Sequence, residues 1–169
     1  TNPQERYSAG DGRLDYKPSG GTNYQAGLRK GAEQLKSKSA RSDAEKVVLF
    51  LSDGKPTFYY DKNGETAGSG DEDADEDWWG NKYNWGSCSG AAYTQADKMT
   101  GINYFYTIGI GKDEQAINPA TLKDLSERIE KKNSGCKVTE NNAPYLCGSL
   151  EELKKAFSEM AGEITRLSC

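Results

Sequence analysis

The chain has 169 residues, four cysteines, no histidine and a formal net charge of −4 at pH 7. Its length fits one domain with a sizeable core. The lack of histidine excludes, within this sequence, catalytic triads that use imidazole and zinc sites that use histidine ligands. Nucleic-acid binding is disfavoured because no positive surplus exists to neutralise phosphates. No apolar run approaches the roughly 20 residues of a membrane span.

The chain begins with a polar, turn-rich segment and continues into a helical pattern. Residues 1–19 contain no apolar period long enough for a helix and are predicted to form a loop, with a short edge strand near 13–16. Over 24–35, apolar side chains recur at spacings of three and four, which predicts a helix. Either Thr22 or Asn23 is expected to be its N-cap.

Two apolar runs predict the main strands of a sheet. Residues 47–51 are expected to form a central parallel strand that is buried on both faces, and 102–110 a second apolar strand. A short helix is predicted between them over 91–100, and a short strand over 143–147.

Two further helices are predicted in the second half of the chain. The first starts at Asn118-Pro119, with proline at its first position and an inner face made by Leu122, Leu125 and Ile129. The second opens with the capping box Ser149-x-x-Glu152 and carries one apolar stripe, Leu150, Leu153, Phe157, Met160, Ile164 and Leu167. This alternation predicts a doubly wound, mostly parallel α/β sheet with helices on both faces.

Two oxygen-bearing residues are expected to meet at one edge of that sheet. Thr22 lies at the head of the first helix, and Asp53 directly follows the first buried strand. Ligands of doubly wound sheets bind beyond the carboxyl ends of the strands, and hydroxyl and carboxylate oxygens suit a hard cation such as Mg²⁺. Taken singly, Thr22 is more simply explained as an N-cap and Asp53-Gly54 as a turn.

The segment 58–90 interrupts the alternation and is predicted to be an inserted arm of a single domain spanning 1–169. Its acidic run, 71–77, lacks the order of an EF-hand calcium loop and is interpreted as a solvated charge run. Aromatic side chains in a polar loop either contact a partner or pack onto their own domain. The tryptophans and tyrosines of the arm are Tyr59, Tyr60, Trp78, Trp79, Tyr83 and Trp85.

The four cysteines favour disulfides and an extracellular setting, because their number is even and no pair has the spacing of a metal or redox motif. Cys136–Cys147 closes a short loop, whereas Cys88–Cys147 with Cys136–Cys169 pairs all four. A Cys88–Cys169 bridge is disfavoured. Cys88 is expected near the edge of the sheet where ligands bind, whereas Cys169 ends the predicted last helix, about 27 Å long, at the opposite edge.

Four pieces of the sequence resemble von Willebrand factor type A domains, and they occur in the order of that family. The residues GGTN at 20–23, followed by a helix, and VVLFLSDGKPT at 47–57 resemble the family's second and third metal-site loops. YTIGIG at 106–111 resembles the next strand, and 145–157 resembles the last strand and helix. The similarity spans 14–168, interrupted by the arm.

The resemblance implies a metal-ion-dependent adhesion site in which Thr22 and Asp53 take the family's Thr and Asp roles. It implies Mg²⁺ as the ion, with Mn²⁺ or Ca²⁺ as alternatives, and a partner protein that supplies a carboxylate. The family's first strand and Asp-x-Ser-x-Ser loop are expected before residue 14 and are absent there. Flanking sequence or a companion chain is therefore expected to supply them, and this chain alone is expected to bind metal weakly.

The two loops and the arm further resemble the adhesin domains at the tips of Gram-positive pili. This implies a secreted module, attached to a pilus or the cell wall, that binds a host or extracellular-matrix protein. The candidate ligand contacts are Tyr59, Tyr60, Trp78, Trp79 and Trp85. No catalysis is expected, because no pair of carboxylates is singled out as acid and base. The alternative is a structural or assembly domain of the same fold with a non-functional metal site.

Overall fold

Helices and strands alternate along the chain, of which the computed structural model describes residues 21–68, 85–112 and 117–167. The helices are α1 (Tyr24–Leu35), α2 (Trp85–Ala96), α3 (Pro119–Lys132) and α4 (Leu150–Leu167). The strands are β1 (Val47–Ser52), β2 (Phe58–Tyr60), β3 (Thr66–Gly68), β4 (Tyr104–Ile110) and β5 (Tyr145–Cys147). The main sheet is parallel with the order β1–β4–β5, and β2–β3 is an antiparallel hairpin. The fold is mixed α/β, as predicted.

Strand β4 lies at the centre of the main sheet. It pairs with β1 from Val47↔Tyr104 to Ser52↔Gly109, and with β5 through its last three residues. Every residue of β4 except Ile110 is buried. Such continuous burial is typical of a parallel strand with helices on both faces, and it confirms the strand predicted over 102–110.

Helices cover both faces of β4 because its successive side chains point to opposite sides of the sheet. On one face, Phe105 belongs to the larger core with side chains of α1, α2 and α3: Tyr24, Leu28, Ala92, Ala96, Leu122, Leu125 and Ile129. On the other face, the smaller core joins β4 and β5 to α4 and consists of Tyr104, Tyr106, Ile108, Cys147, Ala156 and Met160.

Strand β1 lies at an edge of the sheet, so the prediction of a central strand buried on both faces is wrong for the described part of the chain. No strand within 21–68, 85–112 or 117–167 pairs with its second side. Val48 and Phe50 pack against the larger core, whereas Leu49 and Leu51 are 37% and 40% exposed. The physical reason is that α4 contacts β5 and β4, so that on this face of β1 Val47 still packs against the smaller core whereas Leu49 and Leu51 do not.

The ends of α3 and α4 follow the predicted signals. Asn118 caps α3 by accepting a hydrogen bond from Thr121 N at 3.3 Å. At α4, Ser149 Oγ accepts from Glu152 N at 3.3 Å, as in the predicted capping box, whereas Glu152 Oε2 accepts at 2.8 Å from Gly148 N, one residue before the amide that a capping box uses. The stripe of α4 is less buried than predicted, with Leu150 64% and Phe157 38% exposed. Among the described residues, no helix is long and apolar enough to cross a membrane.

The predicted arm, 58–90, contains more regular structure at its two ends than expected. Residues 58–68 form the β2–β3 hairpin, whose turn is closed by Asp61 Oδ1, an acceptor for Asn63 N at 2.8 Å and Glu65 N at 2.9 Å. Helix α2 already begins at Trp85, before the start predicted at 91. Residues 69–84, which include the acidic run, lie outside the described residues, as does the strand predicted near 13–16.

The predicted disulfides are not supported, since Cys88, Cys136 and Cys147 are all free and buried. Cys136 belongs to the larger core and Cys147 to the smaller one, so the sheet separates them. Lys137 pairs with Tyr104 and Cys147 with Ile110, at opposite ends of β4. That is a separation of about 20 Å along a strand, against the roughly 4.4–6.8 Å between Cα atoms that a bridge needs.

The same separation by the sheet argues against Cys88–Cys147, because α2, which carries Cys88, packs in the larger core. Cys169, which the alternative pairing joins to Cys136, lies outside the described residues. Burial raises the pKa of the Cys88, Cys136 and Cys147 thiols, which keeps them protonated and unreactive.

We expect Asn133→Ala to lower the free energy of unfolding by about 2–4 kcal/mol. The Asn133 amide donates to Met99 O at 3.0 Å and Ile129 O at 2.8 Å, and its oxygen accepts from Ile102 N at 3.1 Å. Alanine leaves these buried backbone groups without that partner. Urea denaturation measures the effect, with the exposed neighbour Ser134→Ala as control. Equal stability of the two variants would contradict this role for Asn133.

Candidate metal site at the carboxyl edge of the sheet

Thr22 and Asp53 lie on neighbouring loops at the edge where the parallel strands end. Asp53 follows the last residue of β1 and is exposed. Thr22 precedes α1, and its backbone is hydrogen-bonded to Thr57, which belongs to the loop that follows β1. Thr22 and Asp53 thus lie on two hydrogen-bonded loops at this edge, here called the carboxyl edge.

Reciprocal hydrogen bonds join the Thr22 loop to the loop after β1. Thr22 N donates to Thr57 Oγ1 at 2.8 Å, and Thr57 N donates to Thr22 O at 2.8 Å. Phe58 N also donates to Thr22 O, at 3.0 Å. Both backbone polar groups of Thr22 are thus satisfied by the other loop.

A second contact between the loops is made by Tyr24 in the first turn of α1. Its hydroxyl donates to Gly54 O at 2.7 Å, and Ser52 Oγ donates to the same carbonyl at 2.8 Å. The Tyr24 ring is buried edge-on against Phe50, with ring centroids 4.9 Å apart. Burial raises the pKa of Tyr24 to about 12, and the negative charge of Asp53 adds to the shift.

The simpler explanation of Thr22 as an N-cap does not apply. Asn23 is the N-cap of α1, and its Oδ1 accepts from Ala26 N at 2.8 Å. The Thr22 side chain is thus not used for capping. Gly54 makes the backbone contacts of the turn after β1, and the Asp53 side chain is exposed beside it.

The donor set at this edge fits a hard cation in kind but not in number. A hydroxyl and a carboxylate are oxygen ligands of the type that Mg²⁺ prefers, and Mg²⁺ takes about six ligands, several of them water. Within the described ranges, no three His, Cys, Asp or Glu side chains form a group that could hold a metal ion. Among the described residues, Thr22 and Asp53 therefore do not by themselves make up a complete set of metal ligands.

The β2–β3 hairpin, where the arm begins, is fixed to α1 beside this edge. The Phe58 ring occupies the space next to Gly21. Gln25 Oε1 accepts from Tyr60 N at 2.7 Å, and the Arg29 guanidinium lies 4.4 Å from the centre of the Tyr60 ring. These contacts hold the base of the arm against the helix that follows Thr22.

The aromatic residues predicted to contact a ligand are only partly described. Tyr60 packs under Arg29, and Tyr59 is half-buried on the same strand. Trp85 is the first residue of α2. Trp78 and Trp79 lie outside the described residues. Their contact with a ligand stays a prediction.

The sequence analysis missed the residues that hold the two loops together, chiefly Thr57 and Tyr24. Thr57 is the last residue of the quoted SDGKPT loop, and its distance from Thr22 in sequence gave no sign of the contact. By sequence alone, Tyr24 is the first member of the apolar period over 24–35. Its hydroxyl, in an otherwise apolar position, was the available signal, because a buried tyrosine hydroxyl usually finds a partner.

Comparison with known proteins supports the fold class. No protein-family model matches the chain, and no curated protein matches it. The crystal structure of the pilus adhesin SpaC from Lactobacillus rhamnosus GG is similar, with a TM-score of 0.51 and 20% sequence identity. The similarity covers 86% of this chain and 19% of the SpaC chain, so this chain spans about a fifth of that protein. The described chain therefore shares the fold of part of a pilus adhesin.

We expect Gly21→Ala to lower the free energy of unfolding by about 1–3 kcal/mol. A Cβ atom at this position overlaps the Phe58 ring, so that the ring has to leave its place beside the Thr22 loop. The matched control is Gly31→Ala within α1, where nothing lies within 4 Å of the added atom and a gain of about 0.5–1 kcal/mol is expected. Thermal denaturation measures both. A Gly21→Ala protein as stable as the wild type would show that the ring contact is unimportant.

We expect Tyr24→Phe to cost about 1–2 kcal/mol near neutral pH, because it removes the hydroxyl bonded to Gly54. Since the pKa of Tyr24 rises from 10.0 to about 12 in the folded state, its contribution is complete below pH 10.0 and is lost as the pH rises through about 12. The variant should therefore lose stability less steeply than the wild type over this range. Denaturation at successive pH values tests this, with Tyr59→Phe as control; parallel curves for Tyr24→Phe and wild type would refute it.

Proposed function

We propose that this chain is part of a non-catalytic adhesion module at a cell surface, which binds an extracellular protein through a divalent cation. The observation that carries the proposal is the hydrogen-bonded pair of loops that holds Thr22 and Asp53 at the carboxyl edge. Two independent features agree with it: the resemblance of these loops to the metal-site loops of von Willebrand factor type A domains, and the shared fold with part of a pilus adhesin.

In this proposal Thr22 and Asp53 each offer one oxygen to Mg²⁺, or to Mn²⁺ or Ca²⁺ in its place. The bound cation supplies a positive charge that attracts a carboxylate of the partner protein. Asp53 is exposed, so its carboxylate is accessible to an ion from solvent. The Thr22 loop is held by Thr57, and this order lowers the entropy lost when the loop binds an ion.

The remaining ligands are proposed to come from a first strand that another part of the adhesin, or a companion chain, supplies. The side of β1 with which no described strand pairs supports this, because an edge strand presents unpaired backbone groups on which a further strand can pair. Leu49 and Leu51 support it as well. They are exposed on β1, and a sheet face of this kind is normally covered when the strand is central.

The arm is proposed to form a second contact surface for the protein ligand. Its base is fixed beside the metal site by Phe58 and Tyr60. Trp78, Trp79 and Trp85, together with Tyr59, offer large aromatic side chains of the kind that dominate interface energies. A ligand held by the cation would thus also meet the arm.

A structural or assembly domain with a non-functional metal site is the second candidate. It is favoured by one observation: the described residues supply only part of an oxygen ligand set, with no acidic group of three. The two candidates differ in one measurable property, the dependence of partner binding on a divalent cation.

The test is calorimetric titration of Mg²⁺ and Mn²⁺ into this chain and into the complete polypeptide that contains it. We expect binding to the complete polypeptide and weak or no binding to this chain, whose ligand set is partial. Asp53→Ala in the complete polypeptide should weaken binding at least about tenfold, a loss of roughly 1.4 kcal/mol.

Asp43→Ala is the matched control for this titration. Asp43 is an exposed carboxylate that precedes β1, at the opposite end of the strand from Asp53, and it pairs with Arg41 at 2.9 Å. Its removal should leave the affinity unchanged. Absence of binding to the complete polypeptide would reject the metal mechanism and favour the structural domain.

A further inference from the structure

Thr57 occupies an unusual position for a loop residue, because it is only 2% exposed and its hydroxyl contacts the backbone of a segment far away in sequence. Thr22 N donates to Thr57 Oγ1 at 2.8 Å, and Thr57 N donates back to Thr22 O at 2.8 Å. One residue thus satisfies both backbone polar groups of Thr22. The main sheet does not make this contact, since both residues lie outside its strands.

We propose that Thr57 is a positioning residue, whose buried hydroxyl fixes the Thr22 loop at the carboxyl edge and so places the Thr22 side chain for ion binding. The direction of a side chain follows from the backbone that carries it, and the two Thr57 contacts hold that backbone from both sides. This inference rests on the proposed function as far as the ion is concerned.

Thr57 also connects the site to the arm. Its neighbour Phe58 is the first residue of β2, and Phe58 N donates to the same Thr22 carbonyl at 3.0 Å. The Phe58 ring lies against Gly21, the residue that precedes Thr22. A displacement of the hairpin is therefore transmitted to Thr22 through these contacts.

Three variants distinguish the effect of the Thr57 hydroxyl from the effect of side-chain packing. Thr57→Val removes the acceptor at nearly constant volume, and Thr57→Ser retains it. The matched control is Thr107→Val in β4: Thr107 is 1% exposed, and its hydroxyl has no hydrogen-bond partner within the ranges that the structure describes. Thr57→Val and Thr107→Val therefore delete equally buried hydroxyls, of which only one contacts Thr22.

The first measurement is hydrogen exchange of the Thr22 amide in the complete polypeptide without metal. We expect Thr57→Val to accelerate it by about tenfold or more relative to the amide of Leu28, a buried residue of α1. Dividing by the exchange rate of the Leu28 amide cancels the effect of any general loss of stability. Where Thr57→Val does not fold, Thr57→Ala takes its place, because alanine also lacks the hydroxyl. Thr57→Ser and Thr107→Val should leave the ratio unchanged.

The second measurement is the affinity for Mn²⁺ in the same polypeptide, which Thr57→Val should reduce severalfold while Thr57→Ser preserves it. An unchanged exchange ratio in Thr57→Val would overturn the positioning role, as would equal effects of valine and serine. Faster exchange with unchanged affinity would overturn its link to the ion. A wild-type protein that binds no Mn²⁺ would reject the proposed function and, with it, that link, while the exchange ratio alone still decides whether Thr57 holds the Thr22 loop.

Discussion

The architecture depends on the burial of β4 on both faces. A strand in that position has to pair with a neighbour on each side and needs a covering layer above and below, because its backbone and side chains have no access to water. These needs are met by β1 and β5 at its sides, by α1, α2 and α3 over one face, and by α4 over the other. Because β1 and β5 run parallel to it, all three strands end at one edge, and that edge is where Asp53 emerges.

The candidate site is built from two loops whose polar backbone groups satisfy one another. Thr22 and Thr57 bind each other reciprocally, and Tyr24 contacts Gly54. These contacts fix the two loops to each other. Under the proposed function, Thr22 and Asp53 would offer two of the metal ligands, and the others would come from sequence that completes the sheet beside β1.

The sequence predicted the regular core well and its contacts across the chain poorly. Periodicity and capping signals located α1, α3 and α4, and apolar runs located β1 and β4, because these signals are local.

The start of α2 was missed because Gly86 and Gly90 lower its helix propensity. The hairpin strands are three residues each, too short for a pattern. The pairings Cys136–Cys147 and Cys88–Cys147 are not supported, because cysteine spacing does not reveal on which face of a sheet each thiol lies. The Thr22–Thr57 contact joins residues 35 apart in sequence, which no local rule detects.

The pairing of β1 with β4 has a consequence for folding kinetics. Val47 pairs with Tyr104, so the ladder forms only after the whole hairpin, the rest of the arm and α2 have been brought into a closed loop. Closing so long a loop costs conformational entropy before any contact repays it, and parallel pairing of this kind slows folding. The helices depend on local contacts and can form early, whereas the backbone groups of β1 stay unpaired until β4 reaches it. Until β4 pairs with it, the apolar run of β1 is therefore available to strands of other chains.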